Sequence, residues 1–498
     1  MAASAPDISC GTHPFSFPSA DVIFLSSDNI TFRVHKIILA LASEFFAMMF
    51  TLPQSVSASA RSSTSDVHDI EQAELDGLPL LRVAESGLVL ENLFRLCYPI
   101  DDPILTDLDE VGASLQAAMK YDLQEATKLL KERLIALVAA DPLRAYAIAC
   151  RYSLEDVAAT AADKVLRSRI QVKYINAMDH ITAGAYYRLL RYCQLQGNVC
   201  GSWVFCEQVT MRSNRLNLSG LRTAYLPSID NPPTDALMRC SDSTVFKVHC
   251  TVLCMASSIL QEKFCDLIDT HAATGLPEDN QQRRIDIPDD NWSGFALLRM
   301  CYDSDVELDS IDEISAALTL ARKYGVKKAI RSLTRKLSSY ADRVPVQVYF
   351  IACQFGLTKA ASEAAKMSLS SELEPLCYDV MEEVSAKAYH QLQCYRRTCG
   401  KVATAVITDG VRWVPYLHRL SASVYGPPAC FKAYPTNSTS TLLPCWCRVY
   451  LDRALSTSEV NNCRFCKNGI VVTEFSSVSA ALAKLIENAV TQVKFQFT

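Results

Sequence analysis

The chain states one pattern twice. DVIFLSSDNITFRVHKIILALAS runs from Asp21 to Ser43, and DALMRCSDSTVFKVHCTVLCMAS runs from Asp235 to Ser257, in step at a constant offset of 214 residues without a gap. Asp21 answers Asp235, Asp28 answers Asp242, and Phe32, Val34, His35 and Leu39 answer Phe246, Val248, His249 and Leu253. Later blocks repeat too. FRLCYP at Phe94–Pro99 matches LRMCYD at Leu298–Asp303 with Cys97 on Cys301, an offset of 204. AYAIACRYSL around Cys150 matches VYFIACQFGL around Cys353, and ITAGAYYRLLRYCQLQGNV matches VSAKAYHQLQCYRRTCGKV with Tyr186 on Tyr389, both at 203. The fall in offset places about ten extra residues of the first copy between Ser43 and Phe94, where the chain reads QSVSASARSSTSDVHD. Such a chain is a duplicated module and not one large enzyme domain.

With 498 residues and a hydrophobic share of 49%, there is length for several domains and enough apolar residues to build real cores. The net charge of −5 supplies no basic field to gather phosphate backbones, which argues against nucleic acid as a partner. Residues 1–20 carry neither a basic stretch nor an apolar one behind it, and charge breaks the longer apolar runs, as Glu44 does inside IILALASEFFAMMF. The expectation is an intracellular protein, cytoplasmic or nuclear, with no membrane span. In that setting the 20 cysteines read as reduced thiols, and Cys97, Cys150, Cys301 and Cys353 as small buried apolar residues.

Each copy reads as sheet first and helices after. VIFL at Val22–Leu25 is a short buried strand, and Ser27, Asp28 and Asn29 make a turn. ITFRV alternates inward Ile30, Phe32 and Val34 with outward Thr31 and Arg33. From His35 the period becomes helical, with Ile38, Leu41, Ala42, Phe45, Phe46 and Met49 expected on one face against the sheet. LPLLRVAE returns as a third strand, LVLENLFRLC is a helix ended by Pro99, and helical periods continue to about Cys200. The fold class is α+β. The divisions are a first module at 18–138, a helical annex at 139–213, a linker at 214–234, a second, degenerate module at 235–338, its annex at 339–407, and a C-terminal segment at 408–498.

Asp21, Phe32, Val34, His35, Lys36, Leu39, Ser43, Phe45 and Phe46 resemble the opening of the BTB/POZ family: an Asp before a strand, then Phe-x-Val-His with a basic residue, then Leu, Ser and paired aromatics on a helix. In the second copy Cys250 stands at the basic position, and Ile259 and Leu260 at the aromatic ones. The tandem arrangement resembles the BTB proteins common in mushroom-forming fungi. The resemblance implies two BTB/POZ-like modules, small sheets flanked by helices, that act by binding proteins through the sheet and first helices. In dimeric relatives the Asp and the basic residue line a charged partner pocket, a role that falls here on Asp21 and Lys36 beside His35. The alternative is an ordinary salt bridge tying strand to helix. For His35 and His249 the structural alternative is an imidazole that satisfies a backbone group where a strand enters a helix.

Many family members present clients to a cullin-RING ubiquitin ligase. Those members carry a hydrophobic residue, any residue and Glu after the second helix, whereas this chain reads AMMFTLPQS and CDLIDTH there. Swapped dimers need an amphipathic helix and a strand ahead of the Asp, for which SAPDISCGTHPFSFPSA has too many turn residues. The two copies are therefore expected to pair within one chain, each covering the surface a second molecule would otherwise bury.

From about Thr408 the chain has no counterpart in the first half. Cys445 and Cys447 followed by Cys463 and Cys466 resemble the paired thiolates of a structural zinc site; the other reading is four ordinary thiols. Four thiolates would leave no open position for water, so such a site would be structural, and no other cofactor is expected. Val478, Leu482, Leu485, Ile486, Ala489 and Val493 share one helical face, either packed on the second annex or offered to a coiled-coil partner. The function expected is a non-enzymatic interaction scaffold, with a cullin adaptor as its alternative. An enzyme sited in the Cys-containing C-terminal part is the reading from another class. No Gly-rich phosphate loop, Ser-His-Asp arrangement or His-x-x-x-His helix is seen.

Overall fold

The computed structural model describes residues 9–11, 13–51, 74–170, 172–206, 233–265, 283–302, 308, 310–370, 378–408 and 483–495. Two compact units result: Met1–Ile181 with Arg188–Gln208, and Thr182–Tyr187 with Val209–Thr498.

In the first unit, strands β1 (Ser9–Cys10), β2 (Val22–Leu25), β3 (Ile30–Val34), β4 (Glu74–Leu75) and β5 (Leu78–Arg82) form a sheet in the order β1-β3-β2-β5-β4. The β2–β3 hairpin pairs Val22 with Val34 and turns at Asn29, whose φ of 62° is one that asparagine tolerates. β5 runs parallel to β2 with Ile23 opposite Leu80, which leaves β2 buried along its whole length. β4 joins β5 through Asp76 and Gly77, both at positive φ, the Asp-Gly signal of a tight hairpin. Two expectations change at β1. The residues before Asp21 do supply a strand, parallel to β3 in the same chain, and Thr31 is therefore buried, its hydroxyl donating to the Ser9 carbonyl at 3.1 Å. The same segment delivers Phe15 into the core, beside Phe32, Phe94 and Tyr98.

Helices α1 (Lys36–Ala42), α2 (Glu44–Thr51) and α3 (Gly87–Cys97) are followed by α4 (Leu108–Lys120), α5 (Gln124–Leu137), α6 (Pro142–Arg151), α7 (Glu155–Arg167) and α8 (Ala183–Gln194). Asp107 caps α4 by accepting from the backbone of Asp109 and Glu110, and Asp141 with Pro142 starts α6. The helical period after Pro99 divides at Tyr121, because Asp122 turns to φ 51° and closes a Schellman end: Leu123 N–H bonds the Ala118 carbonyl at 2.9 Å. Ser153 does the same after α6, and the second copy repeats both ends with Gly325 and Gly356.

In the second unit, β6 (Ala236–Arg239), β7 (Val245–Val248) and β8 (Arg283–Asp286) pair in the order β7-β6-β8, in the register of β3, β2 and β5. Helix α9 (Cys250–Ala256) follows, then helices at Asn291–Tyr302, Ile311–Lys323, Lys327–Ser339, Pro345–Gln354, Thr358–Met367 and Ala386–Thr408. Near the C-terminus Ile486 and Val490 are buried, and the Phe495 ring lies 5.7 Å from Tyr349 and 5.2 Å from Tyr395 of the annex.

Phe94, 2% exposed, has the rings of Phe15, Phe24 and Phe32 within 5.7 Å. Phe94→Ala is expected to cost about 3–5 kcal/mol in chemical denaturation. Nothing lies within 4 Å of a Cβ added at Gly356, whose φ is +61°. Gly356→Ala should still lose about 1 kcal/mol from backbone strain alone, and Ser153→Gly should gain a similar amount, both read from denaturation midpoints.

Candidate partner-binding face

The face is built on the junction of β3 with α1. His35 ends the strand in an extended conformation and Lys36 opens the helix, so the N–H groups of both point away from intrahelical partners. Side chains from elsewhere take them. The Asp21 carboxylate accepts the Lys36 N–H at 2.7 Å, and the Tyr98 hydroxyl accepts the His35 N–H at 2.7 Å while lying 3.1 Å from His35 Nδ1. Ser19 Oγ lies 3.0 Å from the other ring nitrogen. The second copy has the same junction. Asp235 accepts the Cys250 N–H at 2.7 Å, and Tyr302 accepts the His249 N–H at 2.9 Å with its hydroxyl 2.9 Å from Nδ1.

Both sequence-based alternatives for these residues change. Asp21 does not tie strand to helix through the Lys36 ammonium, which sits 5.9 Å from the Phe50 ring centroid. It holds a backbone N–H at a helix start, where negative charge is favoured. That bond asks nothing of the next side chain, so the second copy keeps Asp235 while carrying Cys250 in place of a base. The histidines do not cap their helices either; each is clasped by a tyrosine. Tyr98 and Tyr302 were the missed residues, although both stand in the repeated FRLCYP and LRMCYD blocks.

Helix phase corrects the expected buried face. Ser43 is extended between α1 and α2, so no single helical wheel spans the two. The Ser43 hydroxyl donates to the Tyr121 carbonyl at 2.5 Å and accepts the Phe46 N–H at 3.3 Å. This pin turns Leu39 and Phe46 inward and leaves Ile37, Leu41, Phe45 and Met48 outward, with Leu41 81% exposed. The equivalent positions in the second copy are Thr251, Met255, Ile259 and Glu262. Met255, at the position of Leu41, is 84% exposed as well.

A second pin also repeats. Glu85 accepts from Lys120 Nζ at 2.7 Å and from the Tyr121 hydroxyl at 2.6 Å; in the second copy Asp289 accepts from Lys323 and Tyr324. Burial pushes the Glu85 carboxyl up, but its bonds to Lys120 and Tyr121 outweigh this and hold it below the ordinary range. Burial pushes the Cys97, Cys301 and Cys353 thiols up to about 12, at Cys353 against a hydrogen bond with Tyr349, which keeps them protonated and unreactive. None of the described cysteines is in a disulfide. Elsewhere in the first unit a groove of about 890 Å³ runs beside α4 and α6, lined by Arg144, Arg151, Tyr152 and His180 among others.

Cys445, Cys447, Cys463 and Cys466 lie outside the described residues, as does most of the stretch after the second helix where ligase-binding relatives carry their Glu. Among the described residues no cluster of three or more His, Cys, Asp or Glu side chains could hold a metal ion, and no helix is long and apolar enough to cross a membrane.

Tyr98→Phe is expected to cost about 1–3 kcal/mol by leaving the His35 N–H without its acceptor, measured by denaturation. The Glu85 contribution is present above the carboxyl's ordinary value of 4.5 and is lost as pH falls below it. Glu85→Gln should therefore flatten the acid limb of a stability-against-pH profile.

No curated protein matches the chain. The family model described as BTB/POZ domain matches residues 17–137 and 230–340, the two stretches that hold the repeated junctions, sheets and pins. A BTB/POZ domain, a module that mediates protein–protein interaction, is present at two places in this chain.

Proposed function

We propose that the chain is a non-enzymatic interaction scaffold in which the first BTB/POZ domain docks a BTB fold from another chain on its α1–α2 face. The observation that carries this reading is the row of Ile37, Leu41, Phe45 and Met48, large apolar side chains left outward on the helices that the family uses for pairing. Each such side chain is worth about 1.5–3 kcal/mol when buried. Asp21, Lys36 and His35 stand at the end of this row, where a partner would meet them. Asp21 and the histidine are committed to the junction, so Lys36 is the residue of the three left to choose a partner. Thr251 and Glu262 interrupt the same row in the second domain, which supports a division of labour: the first copy binds and the second has given up that face.

Leu41→Glu is expected to weaken self-association or partner capture at least tenfold, read by light scattering across concentrations and by pull-down, while Met255→Glu leaves it unchanged. Equal loss from both variants, or from neither, overturns the assignment to the first copy. Recovery of a cullin on the same face would make the scaffold a ligase adaptor.

A further inference from the structure

Thr182–Tyr187 belong to the second compact unit, although in sequence they open the last helix of the first copy's annex. Inside that unit Thr182 forms an antiparallel bridge with Ser385. The two are the same position of the repeat, 203 residues apart. The Tyr186 ring meets the Tyr389 ring edge-on at 6.0 Å, and these too are the same position. Off these self-pairs two ring contacts are reciprocal: Tyr187 lies 5.9 Å from Tyr389, and its counterpart His390 lies 6.3 Å from Tyr186, the counterpart of Tyr389.

Self-pairs flanked by reciprocal pairs are the signature of a twofold axis, because only that operation brings a position onto its own mate while exchanging the neighbours. A translation or an unrelated packing of the two annexes would match different positions. The seam is closely made. Ala183 N–H donates to the Val384 carbonyl at 2.7 Å, the Thr182 hydroxyl donates to Glu382 at 2.7 Å, and a Cβ on Gly184 would fall 1.7 Å from a Glu382 oxygen. Ala183, Ala185 and Tyr186 on one side and Ala386, Ala388 and Tyr389 on the other are buried. Burial pushes both tyrosine hydroxyls up to about 12, so both stay protonated.

We infer that the annex element Thr182–Tyr187 and its counterpart at 385–390 are a self-complementary pairing surface, whose partner is the other copy of the same element held in the same chain. This deepens the scaffold reading by giving the repeat a pairing element apart from the α1–α2 faces.

The test uses the full chain carrying Leu41→Glu, so that the proposed α1–α2 association is off and its failure cannot be confused with failure of the seam. Thr182→Cys with Ser385→Cys, treated with diamide as the thiol oxidant, should give a crosslink between those two positions in peptide mapping, at monomer mass on a non-reducing gel. Free thiols at both positions, or a crosslink only between chains, overturns the proposal. Tyr389→Asp with Thr182→Cys then tests self-complementarity. The released first element should pair with its own copy on another molecule, doubling the mass by light scattering and crosslinking position 182 to position 182. A monomer with an unreacted thiol there overturns the self-complementary part, and the unperturbed crosslink decides the seam should Tyr389→Asp fail to fold.

Discussion

Where β3 becomes α1, two backbone N–H groups have no helical partner, and the fold of each domain depends on how they are satisfied. Asp21 reaches back from the start of the hairpin and Tyr98 reaches across from the end of α3. One bond fixes the angle at which the helix leaves the sheet; the other fixes where α3 ends. With Ser43 pinned to the Tyr121 carbonyl and Glu85 to Tyr121 and Lys120, the same scheme extends to α2, β5 and α4. These are backbone or buried polar groups that would cost free energy if left unpaired, which explains why the scheme occurs twice with the same geometry.

Around this frame the two copies differ freely. Phe24, Phe46 and Phe94 of the first core are replaced by Met238, Leu260 and Leu298, all buried. A core tolerates such exchanges when volume and pattern are kept, whereas a hydrogen-bonded pin keeps its chemistry, as Asp289 keeps the carboxylate of Glu85. The outward face of the first helices follows neither rule, since Ile37, Leu41 and Met48 stand mostly exposed. There the copies have parted most, from Ile37, Leu41 and Met48 to Thr251, Met255 and Glu262.

Much of this was legible beforehand. The hairpin, the third strand, the helix ended by Pro99 and the annex helices follow from local period and turn residues that act within a few positions of the chain. The outward row was misread because one extended residue, Ser43, resets the helical phase, and its reason for being extended lies at Tyr121, far along the chain. The salt bridge expected of Asp21 as an alternative is a bond to the Lys36 backbone N–H instead, since a sequence pairs side chains by charge and does not display backbone N–H groups. β1 and Phe15 escaped notice because a two-residue strand has no period and turn-rich sequence hides a single buried ring.

The sequence by itself determined that the chain is a duplication, that each copy is a small sheet with helices after it, and that the first copy opens as a BTB/POZ domain does. Those properties are written in spacing, which survives any arrangement in space. Only the tertiary structure decided which atoms hold the strand–helix junction, which apolar residues face outward on α1 and α2, and that Thr182 and Tyr186 meet their own counterparts. Each of these depends on where distant segments come to rest, and that is set by the sum of burial and hydrogen bonding over the whole fold.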